Sequence, residues 1–493
     1  MKKYILSIDQ GTTGSRAVVY DKIGRIVVSS YHEFPQYFPR PGWVEHDPEE
    51  IWHSVNRSIQ DVLKKIPKGS ISAIGITNQR ETTVVWDKKT GKPVYNAIVW
   101  QCRRTSERCE GLKKKGLERS VRQKTGLPID AYFSATKIEW VLNRVKGIGY
   151  RVQGGNLLFG TTDTWILWML TGGKVHATDY TNASRTMLFN INTLKWDDEL
   201  LKVFKVQKNM LPEVKPSSGF FGKTVKIGRL PAGIPISGIA GDQQAALFGQ
   251  TCFEPGSVKN TYGTGAFLLL NTGKKRVNSK HGLITTLGCG PKGEPVYVLE
   301  GSIFIAGAAM QWLRDGLNMF SCACESENMA TALKDNGGVY FVPALTGLGA
   351  PYWNPDARGL ITGITRGTTK NHLARAGLEA MCYQTKDVLN AMQKDSGLKI
   401  DNIKVDGKAV ENNFLCQFQA DMLGASVVRP RVIETTSLGA AYLAGLAVGC
   451  WKDINDIKSC WSAQKKFIPK MKKEKAAQYY DGWKKAVRKT INE

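Results

Sequence analysis

Two segments far apart in the chain share one plan: "LSIDQGTTGSRAVVYDKIGRIV", Leu6 to Val27, and "VKNTYGTGAFLLLNTGKKRV", Val258 to Val277. Each reads as an apolar strand, a Gly-Thr turn (Gly11-Thr12 and Gly263-Thr264), a second apolar strand, and a polar turn with glycine and a basic residue. Pattern and turn chemistry make both β-hairpins. Any two hairpins look alike; the shared Gly-Thr turn at the start of each half sets this pair apart. It predicts an α/β protein of two duplicated domains, each opening on a hairpin with a phosphate-type turn, facing each other across a cleft. At 493 residues the chain has room for two large domains, and no low-complexity linker interrupts it. The boundary is expected near residue 248, giving 1–248 and 249–493.

Further strand–turn–helix units fit that plan. "ISAIGITNQRE" is a strand ending in polar residues, and "GIPISGIAGDQQAALFG" is a strand, a Gly-Asp turn and a helix. "NIKVDGKAVENNFLCQFQADMLG" repeats it, and "TTKNHLARAGLEAMCYQTKDVLNAMQKDSG" reads as a long amphipathic helix ended by Gly397. "SLGAAYLAGLAVGCW" is too short to cross a bilayer and reads as a buried helix whose small residues permit close packing.

The bulk composition excludes several classes. With 42% hydrophobic and 23% charged residues the chain is ordinary globular material. Met1-Lys2-Lys3 is followed by too few apolar residues for a signal-peptide core, so a cytoplasmic protein without membrane insertion is expected. Ten cysteines without a C-x-x-C pair read as reduced core thiols, and six histidines never fall at H-x-x-x-H spacing, which argues against a protein-only metal site. The net charge of +25 raises a nucleic-acid role, but the basic residues are spread out, with runs only at Lys113–Lys115 and in "KKFIPKMKKEKAA". The latter looks like a solvated helix. A basic surface that attracts anionic small substrates is the preferred reading.

Two phosphate-loop decoys fail. "GCGPKG" satisfies G-x-G-x-x-G, but Pro291 and a β-like sequence follow it where a helix is required. "FGKT", at Phe221–Thr224, lacks the first glycine of a P-loop and is followed by a strand-like "TVKIG". Three turns remain: "DQGTTGSR", "NTYGTGA" and "VDGKAVENN". Glycines and small hydroxyl residues let N–H and O–H groups approach phosphate oxygens without a dedicated lysine. Asp9 is placed to hold Mg²⁺, partly through water, and Arg16 to meet the terminal phosphates. Arg80 and Glu81, past a strand end, read either as a structural ion pair or, with Asp242 and Gln243, as partners for a small polyhydroxy substrate. In the second case Asp242 serves as general base on the attacking hydroxyl.

These residues as a set resemble the FGGY carbohydrate kinases of the sugar kinase–Hsp70–actin superfamily, and within them the glycerol kinases. The likeness runs nearly end to end and is dense in "PGWVEHDPEEIW", "IGITNQRETT", "NAIVWQCRRT", "FGTTDTW", "TDYTNASRTMLFN", "PISGIAGDQQAALFGQ", "KNTYGTG", "TGLGAPYW" and "TSLGAAYLAGLAVG". It implies two ribonuclease-H-like (actin-like ATPase) domains closing on ATP–Mg²⁺ and glycerol, with phosphoryl transfer to the terminal 3-hydroxyl. By that resemblance glycerol lies against Arg80, Glu81, Trp100, Tyr132, Asp242, Gln243 and Phe267. Asp242 is the base, and Asp9 with Asp242 serves the metal. Thr12, Thr13 and Arg16 meet the β/γ-phosphates with Thr264 opposite; Gly307, Gln311, Gly407, Lys408 and Asn412 line the nucleotide. A homo-oligomer, dimer or tetramer, is implied as well.

Three departures stand out. Asp406-Gly407-Lys408-Ala409 replaces the family's usual Asp-Gly-Gly-Ala, placing a side chain where backbone normally nears the nucleotide. Glu411 replaces a small residue and is a possible partner for Lys408. Gly14 replaces a customary serine. The loop "GRLPAG" also lacks the family's fructose 1,6-bisphosphate signature. The readings in competition with a glycerol kinase are a kinase of another small polyol or sugar, and a nucleotide-binding regulator weakened by Lys408.

Overall fold

The computed structural model describes residues 3–145 and 155–491; the Met1-Lys2 start lies outside them. The chain gathers into two compact units, neither of them continuous in sequence. Met1–Thr251, Thr285–Tyr297 and Thr435–Cys460 form the first; Cys252–Ile284, Val298–Glu434 and Trp461–Glu493 form the second. A single cut near residue 248 therefore differs from the observed grouping by a hairpin segment and two helices.

The first unit is built on a six-stranded sheet in the order Ser218–Lys223, Pro235–Gly241, Ile71–Asn78, Tyr4–Gln10, Gly14–Tyr20, Ile26–Glu33. The expected hairpin is present: Tyr4–Gln10 and Gly14–Tyr20 pair antiparallel, with Asp9 opposite Arg16 and Gln10 opposite Ser15. Tyr4–Gln10, Ile71–Asn78 and Pro235–Gly241 run parallel, with Asp9 beside Thr77 and Gly241 beside Asn78. Parallel strands are covered on both faces, which is why "ILSI", "IGIT" and "ISGIA" are almost uninterrupted apolar runs. Their carboxyl ends meet on one edge, where ligand sites of α/β sheets lie.

One face is covered by helix Pro48–Lys64, which packs on the Gly14–Tyr20 and Ile26–Glu33 strands. Asp47 caps it by accepting from Glu49 N, and Trp52, Val55, Ile59 and Val62 are buried at helical spacing. The other face is covered by helix Thr435–Ala447, the small-residue helix expected to be buried. Its approach is backbone to backbone. A Cβ at Gly75 would lie 2.2 Å from Ala440 O, and one at Gly238 2.5 Å from Ala444 N. At Gly249 it would lie 2.1 Å from Thr435 O, and at Gly439 1.8 Å from Ala245 O. This interlocking is the physical reason the helix belongs to the first unit, and Ser218 and Ser237 add hydroxyl bonds to its Leu443 and Ala444 carbonyls.

The second unit carries most of a seven-stranded sheet ordered Ile284–Cys289, Pro295–Ile303, Ala266–Gly273, Val258–Tyr262, Asn402–Asp406, Ser426–Pro430, Ala463–Phe467. The second predicted hairpin pairs Tyr262 with Ala266, and Val258–Tyr262 runs parallel to Asn402–Asp406 with Thr261 beside Asp406. Helix Lys370–Ser396 ends at Gly397, whose φ is 70°. It is not simply amphipathic: Ala374 to Thr385 is buried without a break, because helices Glu325–Thr331, Asn413–Leu423 and Lys473–Ile491 pack around it.

Other expectations need correcting. "KKFIPKMKKEKAA" spans the end of an outer strand and the start of helix Lys473–Ile491, which is no solvated helix: it buries Tyr479, Trp483 and Val487. "TVKIG" is not a strand, since the strand bearing "FGKT" ends at Lys223, but no helix follows it either. "GCGPKG" is a turn between strands Ile284–Cys289 and Pro295–Ile303. Six cysteines are buried free thiols, and Cys450 and Cys460 are free and half-buried, but the exposed Cys322 and Cys324 are joined to each other. Among the described residues no helix is long and apolar enough to cross a membrane.

Candidate active site

The parallel edge of the first sheet collects the polar residues that the sequence singles out. Asp242 opens helix Asp242–Gly249 where strand Pro235–Gly241 ends. Its carboxylate is held on both oxygens: Arg80 Nε lies 3.0 Å from Oδ1, Gln243 N donates to Oδ1 at 2.7 Å, and Gln243 Nε2 donates to Oδ2 at 3.0 Å. Arg80 is 2% exposed at the side chain, whereas Asp242 keeps 31%. A buried guanidinium therefore fixes a carboxylate that still faces outward, an arrangement suited to proton transfer in a defined direction.

Glu81 is buried beside Arg80, and its φ is 61°. A non-glycine residue is costly there, of order 1–3 kcal/mol, and persists only where its surroundings over-determine it. They do so. Ser134 Oγ and Thr83 Oγ1 each donate to the Glu81 carbonyl at 3.1 Å, and Lys137 Nζ approaches it at 3.4 Å. The Glu81 carboxylate lies 2.5 Å from Arg185 Nε, both side chains being out of solvent. Arg185 and Lys137 escaped the sequence reading. Both lie far from Glu81 in sequence; Lys137 offered one signal, a basic residue on a mostly apolar helix, and Arg185 in "TNASRT" offered none. Burial holds the Lys137 ammonium down to about 8, and its Nζ also donates to Tyr132 O at 2.6 Å.

Behind the strand ends lies a buried polar lattice. Asn78 and Asn182 exchange amide bonds at 3.0 Å in both directions, and Asn182 N donates to Asp179 at 3.0 Å. Gly241 N donates to Thr181 Oγ1 at 2.8 Å. The lattice ties the strand end before Asp242 to the strand end before Arg80, so the two move as one body.

The first phosphate-type turn joins this edge directly. Gly11 N donates to Gly14 O at 2.9 Å, closing the turn. Trp100 Nε1 donates to Thr12 Oγ1 at 3.1 Å, and the Trp100 and Tyr132 rings meet edge to face at 5.6 Å. Asp9, Thr12, Arg80, Glu81, Trp100, Tyr132, Asp242 and Gln243 thus belong to one unit; Phe267 belongs to the other, where it pairs across the hairpin with Thr261.

The second unit gathers a separate group. Gly263 N donates to Gly265 O at 2.8 Å, so this turn closes as the first one does. Thr264 O accepts from Ala306 N and Ala308 N at 2.9 and 3.0 Å, and Gly263 O accepts from Gly307 N at 3.0 Å. The turn is thereby fastened to the start of helix Gly307–Gln311. Gly407 has φ 87°, and a Cβ there would lie 2.2 Å from Tyr262 O, so only glycine fits. Thr264, Gly307, Gln311 and Gly407 thus share one end of the sheet. Lys408 and Glu411 are both exposed, and among the described residues they form no ion pair with each other. Asn412 caps helix Asn413–Leu423, accepting from Leu415 N at 2.9 Å.

Among the described residues no group of three or more histidine, cysteine or acidic side chains could cage a metal. Asp9 and Asp242 emerge on either side of strand Ile71–Asn78. One or two hard carboxylates suit Mg²⁺, which retains most of its water and takes further oxygens from phosphate; they fit that ion and no protein-only cage.

Comparison with known proteins identifies the family. The N-terminal domain of the FGGY family of carbohydrate kinases matches residues 4–249, and its C-terminal domain residues 258–448. The chain is 59% identical over 491 residues to glycerol kinase 2 of Thermotoga maritima, covering 99% of both chains. It is 59% identical over 489 residues to a glycerol kinase of Bacillus licheniformis, again covering 99% of both. A crystal structure of Plasmodium falciparum glycerol kinase with ADP superposes with a TM-score of 0.91 at 38% identity, over 99% of this chain and 98% of that one. With both family domains matched in order and relatives aligned from end to end, the chain belongs to the FGGY family of carbohydrate kinases.

Proposed function

We propose that the protein is an ATP-dependent glycerol kinase that transfers the γ-phosphoryl group of ATP to the 3-hydroxyl of glycerol, giving sn-glycerol 3-phosphate. The observation that carries the reading is the outward-facing Asp242 carboxylate, clamped by Arg80 and Gln243 beside the over-determined Glu81. The full-length likeness to glycerol kinases supports glycerol as the polyol.

The hydroxyls of glycerol meet Arg80 and Gln243 as donors and Glu81 and Asp242 as acceptors, a set that satisfies a triol without leaving a buried partner unpaired. Trp100, Tyr132 and Phe267 pack the carbon skeleton. Asp242 takes the proton of the attacking hydroxyl, while Arg80 holds the carboxylate in the orientation that receives it. Thr12, Thr13, Arg16 and Thr264 serve the β- and γ-phosphates, and Gly307, Gln311, Gly407, Lys408 and Asn412 the rest of the nucleotide. Asp9, with Asp242, would hold Mg²⁺, whose charge neutralises the developing phosphate charge when bound. Such an enzyme works in the cytoplasm as a homo-oligomer, dimer or tetramer.

The test is ADP release with ATP–Mg²⁺ and a panel of polyols and sugars. Glycerol is expected to give the highest kcat/KM, and Asp242→Asn to lower kcat by at least about 100-fold with the fold intact. No turnover of any polyol by folded wild-type protein would refute the kinase reading, and a preference for a larger sugar would refute glycerol.

A further inference from the structure

The turn Gly11–Gly14 is covered by a side chain that the catalytic reading does not use. Asp9, Arg16 and Tyr31 occupy one row across three neighbouring strands, Asp9 opposite Arg16 and Arg16 opposite Tyr31. Residues in such a row project to the same face and are within contact reach. The Arg16 guanidinium lies 5.6 Å from the centroid of the Tyr31 ring. The Tyr31 hydroxyl lies 3.3 Å from Thr13 Oγ1. Between them the ring fills the space over Gly14: a Cβ there would lie 2.5 Å from both Cζ and the hydroxyl oxygen of Tyr31. Gly14 is not among the residues of positive φ, so its backbone makes no demand for glycine. The three atoms nearest a side chain at 14 all belong to Tyr31.

Tyr31 is 43% exposed, so core packing does not explain it. Its contacts with Thr13, Gly14 and Arg16 converge on the turn. We propose that Tyr31 is a positioning residue for the terminal phosphates of the nucleotide. Its ring restrains the Arg16 guanidinium from beneath, and its hydroxyl orients that of Thr13, so that both groups are arranged before phosphate arrives. A long guanidinium chain otherwise loses rotamer freedom on binding, and prior restraint lowers that cost. The glycine at 14 is the complement of the ring. This inference rests on the reading of the turn as a phosphate site.

The test is steady-state kinetics and Mg–ATP titration calorimetry on Tyr31→Phe, Tyr31→Ala, Gly14→Ala and the Tyr31→Ala/Gly14→Ala double variant. Tyr31→Ala is expected to raise the KM for ATP about five- to tenfold, with the KM for glycerol unchanged and Tyr31→Phe in between. Gly14→Ala is expected to raise the KM for ATP in the wild-type background and to add nothing to Tyr31→Ala, since the ring it displaces is gone. An unchanged KM for ATP in Tyr31→Ala, an equal rise in both KM values, or additivity of the two alanines would overturn the proposal. Protein that turns over no polyol but binds Mg–ATP in a Tyr31-dependent way would sink glycerol phosphorylation and leave the role of Tyr31 standing. Binding of Mg–ATP that Tyr31→Ala does not weaken would sink that role alone.

Discussion

Substituting Gly439 by alanine tests whether Asp242, the proposed base, is held in place by backbone packing. The added Cβ would lie 1.8 Å from Ala245 O and 2.6 Å from Ala245 C, both main-chain atoms of helix Asp242–Gly249. A carbonyl cannot rotate away as a side-chain tip can, so the two helices must separate by roughly 1–1.5 Å to restore van der Waals distance. Overpacking of this kind costs about 1–3 kcal/mol, and alanine's better helix propensity returns only about 1 kcal/mol of it. Asp242 rides on the displaced helix, and a shift of about 1 Å at a reacting group is worth on the order of 100-fold in rate. Gly439→Ala is therefore expected to lower both melting temperature and kcat. Gly111→Ala is the control: it lies in helix Ser106–Lys114 with nothing within 4 Å of its added Cβ. It is expected to gain about 0.5–1 kcal/mol and to leave turnover alone. Wild-type melting and wild-type kcat in Gly439→Ala would refute the reasoning, because the interlock would then be loose enough to absorb a methyl group.

Arg185→Met leaves the Glu81 carboxylate buried without the guanidinium now 2.5 Å away, and is expected to cost about 3–5 kcal/mol by denaturant unfolding. Adding Glu81→Gln should recover part of that loss; a single variant within 1 kcal/mol of wild type would count against the buried pair. His46 is fully buried, with Nε2 2.7 Å from Gln36 Oε1, and burial holds its imidazole down to about 4. The unfolded chain takes up that proton below about pH 6.5 while the native state does not until about pH 4, so stability falls by up to roughly 3 kcal/mol as pH drops through this window. Melts of His46→Gln should show a shallower slope there, and an unchanged slope would refute the assignment. Lys408 is exposed and shares no ion pair among the described residues, so Lys408→Gly is expected to melt like wild type within about 0.5 kcal/mol. Its KM for ATP should rise about two- to threefold with the loss of a nearby cation; faster turnover at lower KM would show instead that the lysine crowds the nucleotide.

Local chemistry made much of this protein legible. The two hairpins follow from apolar runs broken by Gly-Thr turns, and both close through a main-chain bond at the turn, Gly11 to Gly14 and Gly263 to Gly265. Asp242 was readable because a strand, a glycine and an acidic helix start are all short-range signals. The architecture around Glu81 was not. Its positive φ and its partners Arg185 and Ser134 arise from contacts separated by 104 and 53 residues, and nothing in "QRETT" marks a strained backbone. The bond from Trp100 to Thr12 spans 88 residues and links Trp100 to the first Gly-Thr turn by a route that no motif spacing encodes.

The helix Thr435–Ala447 shows why the compact grouping in space departs from a single cut in the chain. Its small residues announced close packing, but not against what. The answer was present as three unremarked glycines: Gly75 and Gly238 inside strands, and Gly249 at the end of a helix. Each weakens its own element when judged locally, and a glycine inside a strand is tolerated chiefly where another backbone comes close. Gly75 meets Ala440, Gly238 meets Ala444, and Gly249 meets Thr435, so the three mark one line of contact with the helix. Strand glycines that meet a distant small-residue helix are what tie residues 435–447 to the first compact unit. The same line of contact runs under the strands that end at Asn78 and Gly241, just before Arg80 and Asp242. Atoms at main-chain contact have little room to yield, so this packing also keeps the Arg80–Asp242 pair at a fixed separation.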